Sequence, residues 1–153
     1  MRNPIEKRRR KAEINTYFLY GLHSVAEAIA NPKRIKLELW LTKNARNKLI
    51  SKVTLPKIPT HYLEKTSKLP ISKEAVHQGV ILKVASLNHQ LDNELRIKKG
   101  RNIVIVLDKV TDPQNVGTII RTSLFFGCIA VINSERGGAR EGGALAKGAS
   151  GAL

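Results

Sequence analysis

The chain has 153 residues, 27 Lys+Arg against 12 Asp+Glu, a formal net charge of +15, 42% apolar residues and 25% charged ones. That is the length of one domain or two small ones, with the composition of a folded protein and not of a disordered tail. One cysteine, Cys128, excludes a disulfide framework and a zinc site built on several thiolates. No apolar run approaches the roughly 20 residues that a membrane-spanning helix needs. The basic N-terminus lacks the apolar segment of a secretory signal, so the expected location is cytoplasmic.

The charge is uneven. Residues 1–100 carry 21 Lys+Arg and 8 Asp+Glu, a balance of +13, whereas residues 101–153 carry 6 and 4, a balance of +2. A positive front of this size favours a polyanion through counterion release, and nucleic acid is the expected partner ahead of lysines that serve only solubility. The densest run is Lys7-Arg8-Arg9-Arg10-Lys11, in a polar stretch without apolar periodicity. It reads as a flexible arm, residues 1–16, able to lie along phosphates.

Residues 21–32 read as a short helix closed by Asn31-Pro32, with Leu22, Val25, Ala26 and Ile29 on one buried stripe. Ile35 to Leu41 alternates as a strand, with Ile35, Leu37, Leu39 and Leu41 inward. Asn44 to Val53 is expected as a basic helix, Ile58–Tyr62 as a short strand, Glu64–Lys68 as a helical turn, and Gly79–Ala85 as another strand. Such alternation implies a small α/β unit over residues 17–86, followed by a polar linker at 87–100.

Residues 101–153 form the second unit. Ile103 to Leu107 is an unbroken aliphatic run and reads as a parallel strand buried on both faces. Asp112-Pro113 is a clean helix start, with Asp as N-cap and Pro in the first turn. The helix is expected to run to about Phe126, packing Val116, Ile119, Ile120, Ser123 and Leu124, with Gly127 as its stop. Ile129–Ile132 is the second strand of a βαβ unit, whose ligand sites belong outside the carboxyl ends of its strands. Ala144 to Leu153 reads as a short helix of small residues. The strand is not followed by G-x-G-x-x-G, and there is no P-loop, which counts against a nucleotide-binding protein of either kind.

The informative string is Asp112-Pro113-Gln114-Asn115-Val116-Gly117-Thr118-Ile119-Ile120-Arg121-Thr122. It places Asn115 in a first helical turn and Arg121 two turns on, off the packed stripe. Gly117, four residues before Arg121, leaves space for a neighbouring chain or ligand. This string resembles the first motif, D-P-Q-N-V-G-x-I-x-R-[ST], of the SpoU/TrmH family of RNA ribose 2′-O-methyltransferases. Tyr20 to Ala28 resembles the opening of the substrate-binding domain in the family's two-domain rRNA members. His77-Gln78-Gly79-Val80 is similar to their H-Q-G-[VI] element, and Lys147 to Ala152 to their K-x-[AS]-x-G-A segment.

The resemblance implies an αβα RNA-binding sandwich, followed by a parallel-sheet methyltransferase domain with a trefoil knot. It also implies a homodimer, S-adenosylmethionine as cofactor and RNA, rRNA in particular, as partner. Arg121 and Asn115 take the catalytic positions, with Lys7, Arg8, Arg9, Arg10, Lys11, His77 and Gln78 on the RNA side. Arginine is a poor general base because it stays charged and offers no lone pair, so Arg121 is expected to position the substrate or stabilise developing alkoxide charge. The plainer alternatives are Arg121 paired with Asp112, Asn115 bracing its loop, His77 and His23 in structural hydrogen bonds, and Trp40 as packing instead of a base-stacking platform. The family's later motifs, G-x-E-G-x-G-[LI] and I-P-M…S-L-N-V-S-x-A, which build the knot and hold the cofactor, do not occur before Leu153. The expectation is a C-terminally truncated chain, inactive alone, with a non-catalytic RNA-binding module as the alternative function.

Overall fold

The computed structural model describes residues 15–64, 68–72, 74–87, 97, 99–134 and 136–153. The basic run Lys7–Lys11, most of the Glu64–Lys68 turn and most of the 87–100 linker lie outside them. Strand β1 (Thr16–Tyr20) lies where a polar arm is expected to be ending. Its Tyr-Phe-Leu-Tyr run is strongly β-forming. Helix α1 (Leu22–Ala30), strand β2 (Lys36–Leu41), helix α2 (Lys43–Ile50), strand β3 (Thr60–Tyr62) and strand β4 (Val80–Ala85) follow. The sheet order is β1-β4-β2-β3, with β4 antiparallel to β1 and β2 and with β2 parallel to β3. β4 is central and nearly all buried, as its continuous apolar sequence requires.

One face of this sheet presents Leu19, Leu39, Leu41, Val80, Leu82 and Val84 to Val25, Ala28 and Ile29 of α1 and to Ala45 and Leu49 of α2. Both helices therefore cover the same face, and among the described residues this unit has two layers where an αβα sandwich is expected. The opposite face carries Phe18, Trp40, Ile81 and His61. Trp40 stacks on His61 at 5.0 Å and meets Phe18 edge-on at 5.7 Å. Trp40 is thus packed by its neighbours. Ile35 is exposed, not inward, because the β2–β4 register shifts between Lys36 and Glu38 and breaks the alternation there.

In the second unit β5 (Val104–Leu107) and β6 (Ala130–Asn133) pair in parallel, joined by helix α3 (Pro113–Phe125); helix α4 (Gly143–Ala149) follows. Asp112 caps α3 by accepting the Gln114 N–H at 3.0 Å, Pro113 sits in the first turn, and Gly127 at φ +71° turns the chain out of the helix. Leu107, Val116 and Leu145 form a second small core, flanked by Ile105, Ile119, Ile120 and Val131. Two expectations fail here. β5 is buried on one face only: Val106 is 70% exposed, since Ile105 and Leu107 face the helices and among the described residues no layer covers the other side. Leu124 is also exposed, together with Phe125 and Phe126, because the packed stripe of α3 ends at Ser123.

α4 joins the two units. It packs along α3 and also against the edge of β1, contributing Ala146 to the first core and accepting a hydrogen bond from Ser24 Oγ at the Ala146 carbonyl (3.3 Å). Gly143 lets the start of α4 lie against β1, where a Cβ would stand 2.6 Å from Tyr20 Cδ1.

Candidate functional site

The residues of the first motif lie where the βαβ geometry puts them, on the first turns of a helix that follows a parallel strand's carboxyl end. Gln114, Asn115, Thr118, Arg121 and Thr122 make up the solvent-facing side of α3. Thr118 and Thr122 turn their hydroxyls back onto the Gln114 and Thr118 carbonyls, at 3.0 and 2.9 Å. That leaves Gln114, Asn115 and Arg121 as the exposed polar side chains on this side without a hydrogen-bond partner among the described residues. Arg121 makes no ion pair with Asp112 or with any other described residue. The space beside Gly117 is not open to a ligand. A Cβ there would be 2.8 Å from Ala149 N and 2.9 Å from Gly148 C, with the Leu145 carbonyl oxygen closer still. Glycine at 117 serves the approach of α4, and Gly148 serves it from the other side.

At the carboxyl end of β6, Asn133 donates from Nδ2 to the Ala139 carbonyl at 3.0 Å, while its Oδ1 and the Ser134 hydroxyl are buried without hydrogen-bond partners. Buried polar atoms left unpaired at a strand's carboxyl end are unusual and fit a polar ligand there.

His77 and Gln78 lie at the end of the first sheet, between the starts of α1 and α2. His77 Nδ1 accepts the Gly79 N–H at 3.1 Å. Gln78, in the left-handed region at φ +53°, accepts the Leu22 N–H at 2.9 Å and so caps a helix whose own N-cap, Gly21, offers no side chain. The Gly79 carbonyl accepts the Thr42 N–H at 2.9 Å, and Thr42 Oγ1 accepts from Ala45 N to cap α2. The loop thereby ties both helix starts together. Gln78→Ala is expected to lose about 1 kcal/mol of stability in urea denaturation, a typical cap contribution, with Gln78→Glu retaining most of it.

A second polar centre was not visible in the sequence. Arg34 is only 3% exposed and pairs with Glu141 at 2.9 Å. Tyr17 donates to Glu141 and accepts from Arg34. Burial, then the hydrogen bond to the Glu141 carboxylate, pushes the Tyr17 phenol far above its ordinary value, with Arg34 pulling more weakly the other way. Arg34 Nε is buried without a partner, and Arg34 is among the residues lining a cavity of about 10 Å³, on the scale of one water. On the outer sheet face Glu38 pairs with Lys83 at 3.0 Å and His61 at 3.5 Å; the Lys83 hydrogen bond, above all, holds its carboxyl below the usual range.

Residues 18–90 match the family described as RNA 2′-O ribose methyltransferase substrate binding, and residues 102–153 match the SpoU rRNA Methylase family. The chain belongs to the SpoU/TrmH family. Among similar proteins, the 23S rRNA (guanosine-2′-O-)-methyltransferase RlmB of Haemophilus ducreyi is 30% identical over 74% of this chain and 49% of its own length. RlmB of Neisseria meningitidis serogroup B is 35% identical over 74% and 48%. The fold is shared with the SpoU methyltransferase AviRb of Streptomyces viridochromogenes, crystallised with its cofactor AdoMet (TM-score 0.66, 16% identity, 90% of this chain and 52% of that one). An rRNA methyltransferase from Sinorhizobium meliloti is similar at TM-score 0.66 and 20% identity, over 92% and 52%. The chain spans about half the length of the relatives it matches. Among the described residues no helix is long and apolar enough to cross a membrane.

Proposed function

We propose that this chain serves an RNA ribose 2′-O-methyltransferase that acts on rRNA with S-adenosylmethionine as methyl donor. The carrying observation is Arg121, solvent-facing and unpaired among the described residues, on a capped helix at the carboxyl end of a parallel strand. When bound, the cofactor supplies an electrophilic methyl group on a sulfonium. Asn133 and Ser134, with their unpaired buried oxygens, would hold its polar side. Arg121 grips a phosphate or stabilises charge developing on the ribose oxygen, because a guanidinium offers donors and positive charge but no base. Asn115 braces the substrate at the start of the same helix. The Lys7–Lys11 arm and the rim around His77 and Gln78 present the RNA, in a unit over residues 17–86 distinct from the catalytic one at 101–153.

The test is transfer of labelled methyl from S-adenosylmethionine to rRNA, with the modified ribose mapped. Arg121→Ala is expected to lower the rate at least about a hundredfold, as loss of one positioned charge donor does, and Arg121→Lys to recover little. The second reading, a non-catalytic RNA-binding module, is favoured by the concentration of charge in residues 1–100. Salt-sensitive RNA binding without any transfer would select it.

A further inference from the structure

From the contrast between free and engaged cations we infer that the outer face of α2 is a docking surface for the phosphate backbone of RNA, separate from the N-terminal arm and the methyl-transfer residues. The inference rests on RNA being the substrate.

Between Glu38 and Glu64 the chain carries Lys43, Arg46, Lys48, Lys52 and Lys57 and no carboxylate. All five are exposed, and none makes an ion pair or side-chain hydrogen bond among the described residues. Three other cations of the same unit are engaged, Arg34 by Glu141, Lys83 by Glu38, and Lys36 by the Asn31 carbonyl at 2.6 Å, whereas Lys68, away from α2, is exposed and unpaired among the described residues.

α2 is also electrostatically at odds with itself. Lys43 stands in the first turn, where the helix dipole disfavours a cation, and no acidic residue is there to compensate. Lys43 and Arg46 are like charges one turn apart, a spacing that is repulsive. A sequence that breaks local rules without a compensating contact inside the molecule points to a compensating ligand outside it. That ligand is anionic and extended.

Lys43, Arg46 and Asn47 share one stripe, at i, i+3 and i+4, while Asn44 and Lys48 flank it on the other side of the exposed surface. The helix buries only Ala45 and Leu49, leaving the rest of its girdle free. Eight residues span roughly 12 Å, enough for two or three successive phosphates. Asn44 and Asn47 add donors and acceptors suited to ribose hydroxyls. Tyr62 is 57% exposed at the adjoining strand end, paired with Leu41 just before α2 begins, and offers a ring to an unpaired base.

The experiment titrates a fluorescein-labelled RNA stem-loop by anisotropy over a series of KCl concentrations. It compares the wild-type chain, the triple variant Lys43→Gln/Arg46→Gln/Lys48→Gln, and a control with equal charge removed elsewhere, Arg101→Gln/Lys109→Gln/Arg136→Gln. Glutamine keeps helix propensity, and a circular dichroism melt verifies folding. The α2 variant is expected to bind at least about tenfold more weakly at low salt, with the slope of log K against log salt reduced by about 2–3, one phosphate contact per removed charge. The control should shift the slope by clearly less. Equal slopes for wild type and α2 variant, or equal losses in both triples, overturn the inference. So does tighter wild-type binding to polyglutamate than to RNA, which would mark an acidic protein as the partner. If the wild type binds no RNA, the proposed function falls with it. Intact salt-dependent binding without methyl transfer removes only the proposed function.

Discussion

Glu141→Leu, with Arg34 left in place, is expected to destabilise the protein by about 3–5 kcal/mol in urea denaturation, the range seen when one partner of a buried ion pair is removed. The magnitude follows from burial: the Arg34 side chain is 2% exposed and that of Glu141 22%. Without the carboxylate a guanidinium that cannot lose its proton remains in a nearly dry site, with Nε already unpartnered. The double variant Arg34→Leu/Glu141→Leu should recover much of the loss, because no uncompensated charge stays behind. Glu141→Leu within about 1 kcal/mol of wild type would mean that water reaches Arg34. Tyr17 fixes the sign of the alkaline limb. Its folded pKa is raised, so its contribution is fully present below the ordinary phenol value of about 10 and is lost as pH rises beyond it. The cluster ties β1 and the segment between α1 and β2 to the residues leading into α4, so its loss should also raise hydrogen exchange in α4 before the sheet is affected.

The parts legible in the sequence are those that local chemistry decides. The α3 start follows from Asp112-Pro113, its stop from Gly127, and the α1 stripe from the spacing of Leu22, Val25, Ala26 and Ile29. Parallel pairing of β5 and β6 follows from a helix between two aliphatic runs. The misses arise where distant segments decide. β1 has a strong local signal in Tyr17-Phe18-Leu19-Tyr20, but the basic stretch in front of it masks where the arm ends. No periodicity links Arg34 and Tyr17 to Glu141, more than a hundred residues away, and only α4 packing on β1 brings them together. The same docking explains Gly143, which as sequence is only half of a glycine pair. At the site, the sequence indicates which residues share the solvent face of α3 but not that Asn133 and Ser134 are left unpaired beside it.

Gly117→Val is the second large effect expected, at about 3 kcal/mol or more of lost stability, the upper part of what forced overpacking costs. Helix propensity argues the other way, since replacing an interior helical glycine by alanine gains about 1 kcal/mol where nothing else intervenes. The geometry decides the sign. A Cβ at 117 meets the backbone of α4, at 2.8 Å from Ala149 N and 2.9 Å from Gly148 C, and backbone cannot rotate away as a side-chain end can. Even Gly117→Ala should therefore destabilise, by about 2 kcal/mol, because the two helices must separate and uncover Val116 and Leu145. Gly142→Ala is the control: its φ of −178° is open to any residue and the nearest atom to its Cβ is Arg140 O at 3.9 Å, so a change under about 0.5 kcal/mol is expected. A stabilised Gly117→Ala would show that α4 does not lie against α3 in solution. The glycine of the first motif would then be free to serve a ligand, which the present geometry rules out.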